Sequence, residues 1–170
     1  SGKIILRDSQ KYIKKNQTYK NCCVCEEWLL FSNFRLWASK QNWKTKALDK
    51  DLIKSGNKTY SPRTCMFVSP SINSLIVGSK KARGKYPQGV ALTKEGDRFR
   101  VSVSFGGKAQ YLGEYSTPEE AEVVYLKRKM EIVAKVETTL SNEEDPRLRP
   151  ALLDIVSEIK IKISKQWRKF

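Results

Sequence analysis

The chain has 170 residues, enough for one medium domain or two small ones. Hydrophobic residues make up 39% of it, which excludes wholesale disorder, and no run of about 18 apolar residues predicts a membrane span. Lysine and arginine number 33 against 18 aspartates and glutamates, and the net charge of +15 indicates a polyanionic partner, most often nucleic acid.

The residue types that are scarce limit the chemistry. The chain contains no histidine, which removes the commonest general base and a common metal ligand. Three of its four cysteines crowd one loop, which is not the spacing of a secreted disulfide framework. We therefore expect a reduced protein of the cytoplasm.

Two polar breaks divide the chain. One is the basic, glycine-containing stretch around residues 78–85, and the other is the proline-bounded loop 141–150. They predict a first module over residues 1–78, a basic linker over 79–85, a second module over 86–140, and a loop with a helix over 141–170. Residues 1–80 hold 15 basic and 5 acidic side chains, so the positive charge is concentrated in the first half.

The first module opens with a cysteine pair at C-x-x-C spacing, Cys22 and Cys25. A closed zinc site needs four ligands, and only Cys23 and Cys65 remain to complete one, so we expect no zinc and treat Cys22, Cys25 and Cys65 as metal candidates of last resort. The apolar side chains that follow are interpreted as the core of this module: Trp28, Leu29, Phe31, Phe34, Leu36 and Trp37.

Residues 46–58 and 60–73 resemble the ββα core of HNH endonucleases found in phages. Leu48-Asp-Lys-Asp51 stands where that family has its Asp-His pair, and Asn73 stands at its final metal-ligand position. The resemblance covers about residues 20–77, and it implies a ββα module derived from a nuclease. Many such proteins also open with a C-x-x-C pair.

The histidine that would activate water in that family is Lys50 in this chain. A lysine with an ordinary pKa of about 10.4 is protonated at neutral pH, so it is a poor base and repels a divalent metal. Asp49, Lys50 and Asn73 remain the catalytic candidates, with Mg²⁺ as cofactor only if the module cuts DNA. We expect instead a scaffold that holds DNA electrostatically through Lys44, Lys46, Lys50, Lys54, Lys58 and Arg63. The alternative is that Asp49 and Asp51 pair with those lysines on a solvated turn.

The second module has the clearest local pattern. Residues 89–94 predict a short strand, and residues 98–105 alternate strictly between apolar and polar side chains, as a half-buried strand does. Gly106-Gly107 predicts a hairpin turn into a third strand over residues 108–115. Thr117, followed by proline and two glutamates, predicts the start of a helix, whose apolar positions are Ala121, Val124, Tyr125, Ile132 and Val136.

Residues 86–137 resemble the Apetala/ethylene-response-factor DNA-binding domain, chiefly in Tyr-Leu-Gly-Glu-Tyr at 111–115 and Thr-Pro-Glu-Glu-Ala at 117–121. The resemblance implies that the sheet lies in the major groove and that its outward side chains contact DNA. The matching residues are Gln88, Thr93, Lys94, Arg98, Arg100, Ser102, Ser104, Lys108 and Tyr111. Several base-reading arginines of the family are absent, so sequence specificity is not implied. The alternative is an ordinary solvated face.

The tail predicts an amphipathic helix that can begin at Pro150. Its apolar residues fall three or four apart, at Leu152, Ile155, Ile159 and Ile163 among others. We expect this helix to dock on the chain's own core; the alternatives are a partner-binding helix or a homodimer contact.

Together these patterns predict an α+β protein: a degenerate HNH-like ββα module, a three-stranded antiparallel sheet packed on one helix, and a C-terminal amphipathic helix. The expected function is double-stranded DNA binding by a phage or mobile-element protein, associated with the nucleoid of a bacterial host. The alternatives are a divalent-metal DNA endonuclease with an atypical base, and a phage factor that binds and modulates a host protein.

Overall fold

The structure is a computed structural model that describes residues 22–77 and 85–167. The protein is α+β, as the sequence predicts. Its contacts divide into two units, Ser1–Val68 and Ser69–Phe170. The predicted first module runs on to residue 78, whereas the contacts assign Ser69 onward to the second unit. The predicted linker 79–85 lies outside the described residues except for Lys85.

The described part of the first unit, from residue 22 onward, contains two small sheets and two short helices. Strand β1 (Cys23–Val24) pairs in parallel with β3 (Thr59–Tyr60), and β2 (Ala47–Asp49) pairs antiparallel with β4 (Met66–Val68). Helices α1 (Glu26–Leu29) and α2 (Phe31–Ser39) follow β1 directly. The strand β4 and the residue before it supply fully buried side chains, those of Cys65, Met66 and Val68.

The apolar stretch 28–37 is only partly a core. Trp28 is buried and packs against Phe34 and Trp37, as predicted. The prediction is wrong for three side chains, which are 60 to 67% exposed: Leu29, Phe31 and Leu36. Helix α1 ends at Leu29, so the joint between the two helices lies at the surface. Leu36 is two positions from Phe34, about 200° around α2, and therefore points away from the core.

The second unit is built on a three-stranded antiparallel sheet in the order β5-β6-β7 (Val90–Leu92, Phe99–Phe105, Lys108–Tyr115), which confirms the predicted strands. Gly106 and Gly107 have φ values of 59° and 75°, as the tight hairpin between β6 and β7 requires. The register shifts between Val101 and Ser102, where β7 has one residue more than β6.

Helix α4 (Pro118–Thr138) packs on one face of this sheet. The Thr117 hydroxyl accepts a hydrogen bond from the Glu120 amide at 3.2 Å, which confirms the predicted cap. The buried stripe is shifted from the predicted one: Ala121 and Tyr125 are buried as expected, whereas Val124, Ile132 and Val136 are half-buried. The remaining buried positions are Val123, Leu126, Lys129 and Val133.

Helix α5 (Leu148–Trp167) packs along α4, which confirms the expected docking of the tail on the chain's own core. Leu148 and Leu152 are almost completely buried, and ion pairs between Lys162 and Glu122 and between Arg149 and Glu137 join the two helices. The short helix α3 (Pro70–Val77) contacts β6. Within the described residues, no helix combines the length and apolar character of a membrane span.

Candidate nucleic-acid interface

The sheet of the second unit has one face that the helix does not cover. Val101 and Val103 point toward α4 and are buried, and the alternate side chains on β6 point the other way. These are exposed: Arg100, Ser102 and Ser104, continued by Arg98 just before the strand. Tyr111 on β7 pairs with Ser102 and is 60% exposed. We call the surface formed by Arg98, Arg100, Ser102, Ser104 and Tyr111 the outer face.

Glu114 on β7 accepts hydrogen bonds from both arginines of the outer face, from Arg100 with its carboxylate and from Arg98 with its backbone carbonyl. Glu114 pairs with Arg100 in the sheet register, and Arg100 donates from Nε and Nη2 to its Oε1 at 3.1 and 3.0 Å. Arg98 donates from Nη2 to the Glu114 backbone carbonyl at 3.1 Å. Both guanidinium groups are therefore held close to the sheet. The sequence pattern alone missed Glu114, because the bulge shifts the alternation of β7.

Two predicted contact residues do not belong to the outer face. Gln88 lies in the turn before β5, next to Gly89 with its φ of 76°, and accepts a 3.5 Å hydrogen bond from the buried Lys129 of α4. Thr93 is only 8% exposed, and its hydroxyl is bonded within the turn to Asp97 at 3.2 Å. Both side chains are directed into the fold, so the prediction that they face outward is wrong.

The two predicted lysines of the flanking turns are exposed but differ in position. Lys94 lies in the turn after β5. Lys108 pairs with Phe105 across the hairpin, and paired residues on antiparallel strands share a face. Since Phe105 follows Val103 on the helix-covered side, Lys108 lies on that side too. Only Lys94 adds positive charge at the border of the outer face.

In the first unit, the lysine predicted to stand at the position of the HNH histidine is not available to DNA. Lys50 is 7% exposed, and its Nζ donates to Asp51 Oδ2 at 2.6 Å and to the Asn57 carbonyl at 2.8 Å. The prediction that Lys50 contacts DNA is wrong, because its ammonium group is buried and hydrogen-bonded inside the turn. The exposure of the other predicted cations is as follows: Lys44, Lys54, Lys58 and Arg63 are exposed, and Lys46 is half-buried.

The carboxylate of Asp49 stabilises the backbone of the turn that follows it. Asp49 is 6% exposed, and its Oδ1 accepts hydrogen bonds from the amides of Asp51 and Leu52 at 2.8 and 2.6 Å. Burial raises the pKa of Asp49 above its ordinary value, despite these two bonds. Burial likewise raises the pKa of the Cys65 thiol, so this cysteine stays protonated and unreactive.

The acidic and cysteine side chains that were candidate metal ligands do not assemble in the described part of the chain. Asn73 lies on α3. Asn73 Oδ1 is buried without a hydrogen-bond partner. Across residues 22–77 and 85–167, no three acidic or cysteine side chains form a group that could bind a metal, Cys22, Cys25 and Cys65 included.

A scan against protein-family models, a search of curated proteins and a search of solved structures each gave no match. The resemblances to HNH endonucleases and to the Apetala/ethylene-response-factor domain therefore stay predictions. Arguments about function depend on the geometry of the side chains.

Proposed function

We propose that this chain is a double-stranded DNA-binding protein of phage or mobile-element type, built on an HNH-like scaffold that does not cut DNA. It works in the cytoplasm of a bacterial host and needs no metal for binding. The observation that supports this function is the outer face, on which two arginines, two serines and a tyrosine stand exposed on a rigid sheet.

The shape and the chemistry of the outer face suit a groove of duplex DNA. A small sheet fits the major groove, which is about 12 Å wide. Arg98 and Arg100 present several N–H donors to phosphates or to guanine, and hydroxyl groups such as Ser102 and Ser104 bond to either bases or phosphates. The helix behind the sheet holds these side chains at fixed spacing, so little ordering is required on binding.

The buried turn of the first unit argues against catalysis. A general base must reach a water molecule in its deprotonated form, and Lys50 is an ammonium group bonded to Asp51 and Asn57. Asp49 Oδ1 accepts hydrogen bonds from two backbone amides. The contribution of this unit to DNA binding is therefore electrostatic, through its exposed lysines.

The test is fluorescence anisotropy with a labelled duplex over a range of salt concentrations. The Arg98→Ala/Arg100→Ala variant should lose about two phosphate contacts, which flattens the slope of log K against log salt by about 1.8. Arg128→Ala/Arg149→Ala is the charge-matched control, since these arginines are ion-paired to Glu131 and Glu137 of α4, away from the outer face. Equal losses in the two variants would refute the assignment of the outer face. The same samples on a denaturing gel with Mg²⁺ should show intact strands.

A further inference from the structure

A groove in the first unit lies outside the proposed DNA interface. It is formed between α2 and the loop 61–63, and its volume is about 710 Å³. Helix α2 contributes Asn33, Leu36, Trp37 and Lys40, whose spacing of three, four and seven positions places them on one side of the helix. This volume is within the range of roughly 300–1,000 Å³ that is typical of ligand sites.

The groove has an exposed leucine in its lining, and further apolar side chains are exposed close by in the sequence. Leu36 lines the groove and is 60% exposed. Leu29, Leu30 and Phe31, at the joint of α1 and α2, do not line the groove, but they are 67, 65 and 61% exposed. Single exposed leucines are ordinary, but a concentration of this kind is typical of a surface that another molecule covers.

The charged side chains that line the groove indicate which kind of molecule it binds. Lys40 and Arg63 are the basic side chains of the groove, and Glu27 is its one carboxylate. Residues 1–21 of the chain hold six basic side chains and a single aspartate, so they are poorly matched to this site in charge. A second copy of the chain would bring the same excess of positive charge. An acidic partner is the complementary one.

The aromatic side chains argue against a nucleic-acid strand in the groove. Trp37 has ring contacts with Trp28 at 4.7 Å and with Phe67 at 5.6 Å, and Trp28 itself is only 7% exposed. Neither indole offers a free face on which a base could stack, as single-strand binding sites require. Apolar side chains fit the exposed Leu36 better than bases do.

We propose that the groove between α2 and the loop 61–63 binds an acidic, amphipathic segment of a partner protein. Apolar side chains of that segment pack against Leu36, and its carboxylates pair with Lys40 and Arg63. The lining of the groove shares no residue with the outer face of the sheet, so the protein can join DNA to a second protein.

The direct test uses two labelled peptides of about 15 residues that share leucines at helical spacing. One has glutamates at the remaining positions, and the other has lysines there. Fluorescence anisotropy with the full chain should show binding of the acidic peptide, at least about tenfold tighter than that of the basic peptide. No binding of the acidic peptide, or equal binding of the two, would overturn the proposal.

Substitutions then locate the site. Leu36→Glu should weaken binding of the acidic peptide about tenfold, because it buries a carboxylate among carboxylates. Leu153→Glu is the matched control, an equally drastic change at an exposed leucine of α5. Circular dichroism checks that both variants fold. Unchanged affinity in Leu36→Glu would overturn the site.

Two measurements exclude the other occupants. If Leu36→Glu converts a dimer into a monomer in native mass spectrometry, the groove binds a second copy and the proposal fails. If a single-stranded oligonucleotide displaces the acidic peptide, the groove binds nucleic acid and the proposal also fails. The Arg98→Ala/Arg100→Ala variant should bind the acidic peptide normally, so the DNA assignment and the groove assignment are tested independently.

Discussion

Glu114 is the carboxylate that pairs with Arg100 on the outer face, and its removal gives the sharpest test of that face. A phosphate about 7 Å from this carboxylate is repelled by about 0.6 kcal/mol in bulk water and by about 2.4 kcal/mol at an effective dielectric constant of 20. A value of about 1 kcal/mol between these limits corresponds to about fivefold in affinity. Glu114→Gln should therefore bind duplex DNA about fivefold more tightly at low salt.

The substitution also releases Arg100 from its ion pair with Glu114. Arg100 is 59% exposed, so the pair contributes no more than about 1 kcal/mol to stability, and the variant should fold normally. The assay is fluorescence anisotropy with a labelled duplex at low and at physiological salt. The gain should shrink as salt rises, because ions screen exposed charges over about 8 Å at physiological ionic strength.

Glu131→Gln is the control that separates a local effect from a change in net charge. Glu131 is an exposed carboxylate that pairs with Arg128 on α4, on the other side of the sheet. Both variants raise the net charge by one, so a binding site on the outer face predicts a clear gain for Glu114→Gln and little for Glu131→Gln. The reverse order, or weaker binding by Glu114→Gln, would refute the argument.

Two further predictions concern stability and can be measured by urea unfolding. Gly89 has φ +76°, and a Cβ atom there would lie 2.1 Å from the ring of Tyr125, so Gly89→Ala should lower the free energy of unfolding by about 3 kcal/mol or more. Gly96 has φ +80° but open space around it, so Gly96→Ala should lower it by only about 1 kcal/mol. Similar losses in the two variants would contradict the packing of Gly89 against Tyr125. Burial raises the pKa of Asp49, so ionisation of this carboxyl destabilises the fold as pH rises above about 4. The stability of Asp49→Asn relative to the parent protein should therefore increase from pH 3 to pH 7. A stability difference that does not change with pH would count against a buried carboxyl.

Local signals predicted the second unit well because each of them acts over a few residues. The alternation of residues 98–105 determines which face of the strand is buried, and Gly106-Gly107 supplies the left-handed backbone that a tight hairpin needs. Thr117 begins the helix by accepting the amide hydrogen bond of Glu120. None of these signals depends on the rest of the fold.

The errors came where the outcome depends on tertiary contacts. Whether an apolar residue such as Leu36 joins the core or lines a surface groove depends on which neighbours reach it, and composition does not supply that information. Lys50 is buried in a turn where Asp51 and the Asn57 carbonyl accept its hydrogen bonds, and the sequence does not show that this turn closes around the ammonium group.

The distribution of charge determines how salt dependence should be interpreted. The outer face and its border hold three cations, Arg98, Arg100 and Lys94, and Glu114 opposes one of them. Two to three phosphate contacts would give a slope of log K against log salt of about −2 to −3. The chain as a whole has a net charge of +15, so a much steeper slope would mean that basic residues beyond the sheet also meet the backbone of DNA. The decrease in slope in Arg98→Ala/Arg100→Ala then measures how many of the phosphate contacts belong to the outer face, however many the whole chain makes.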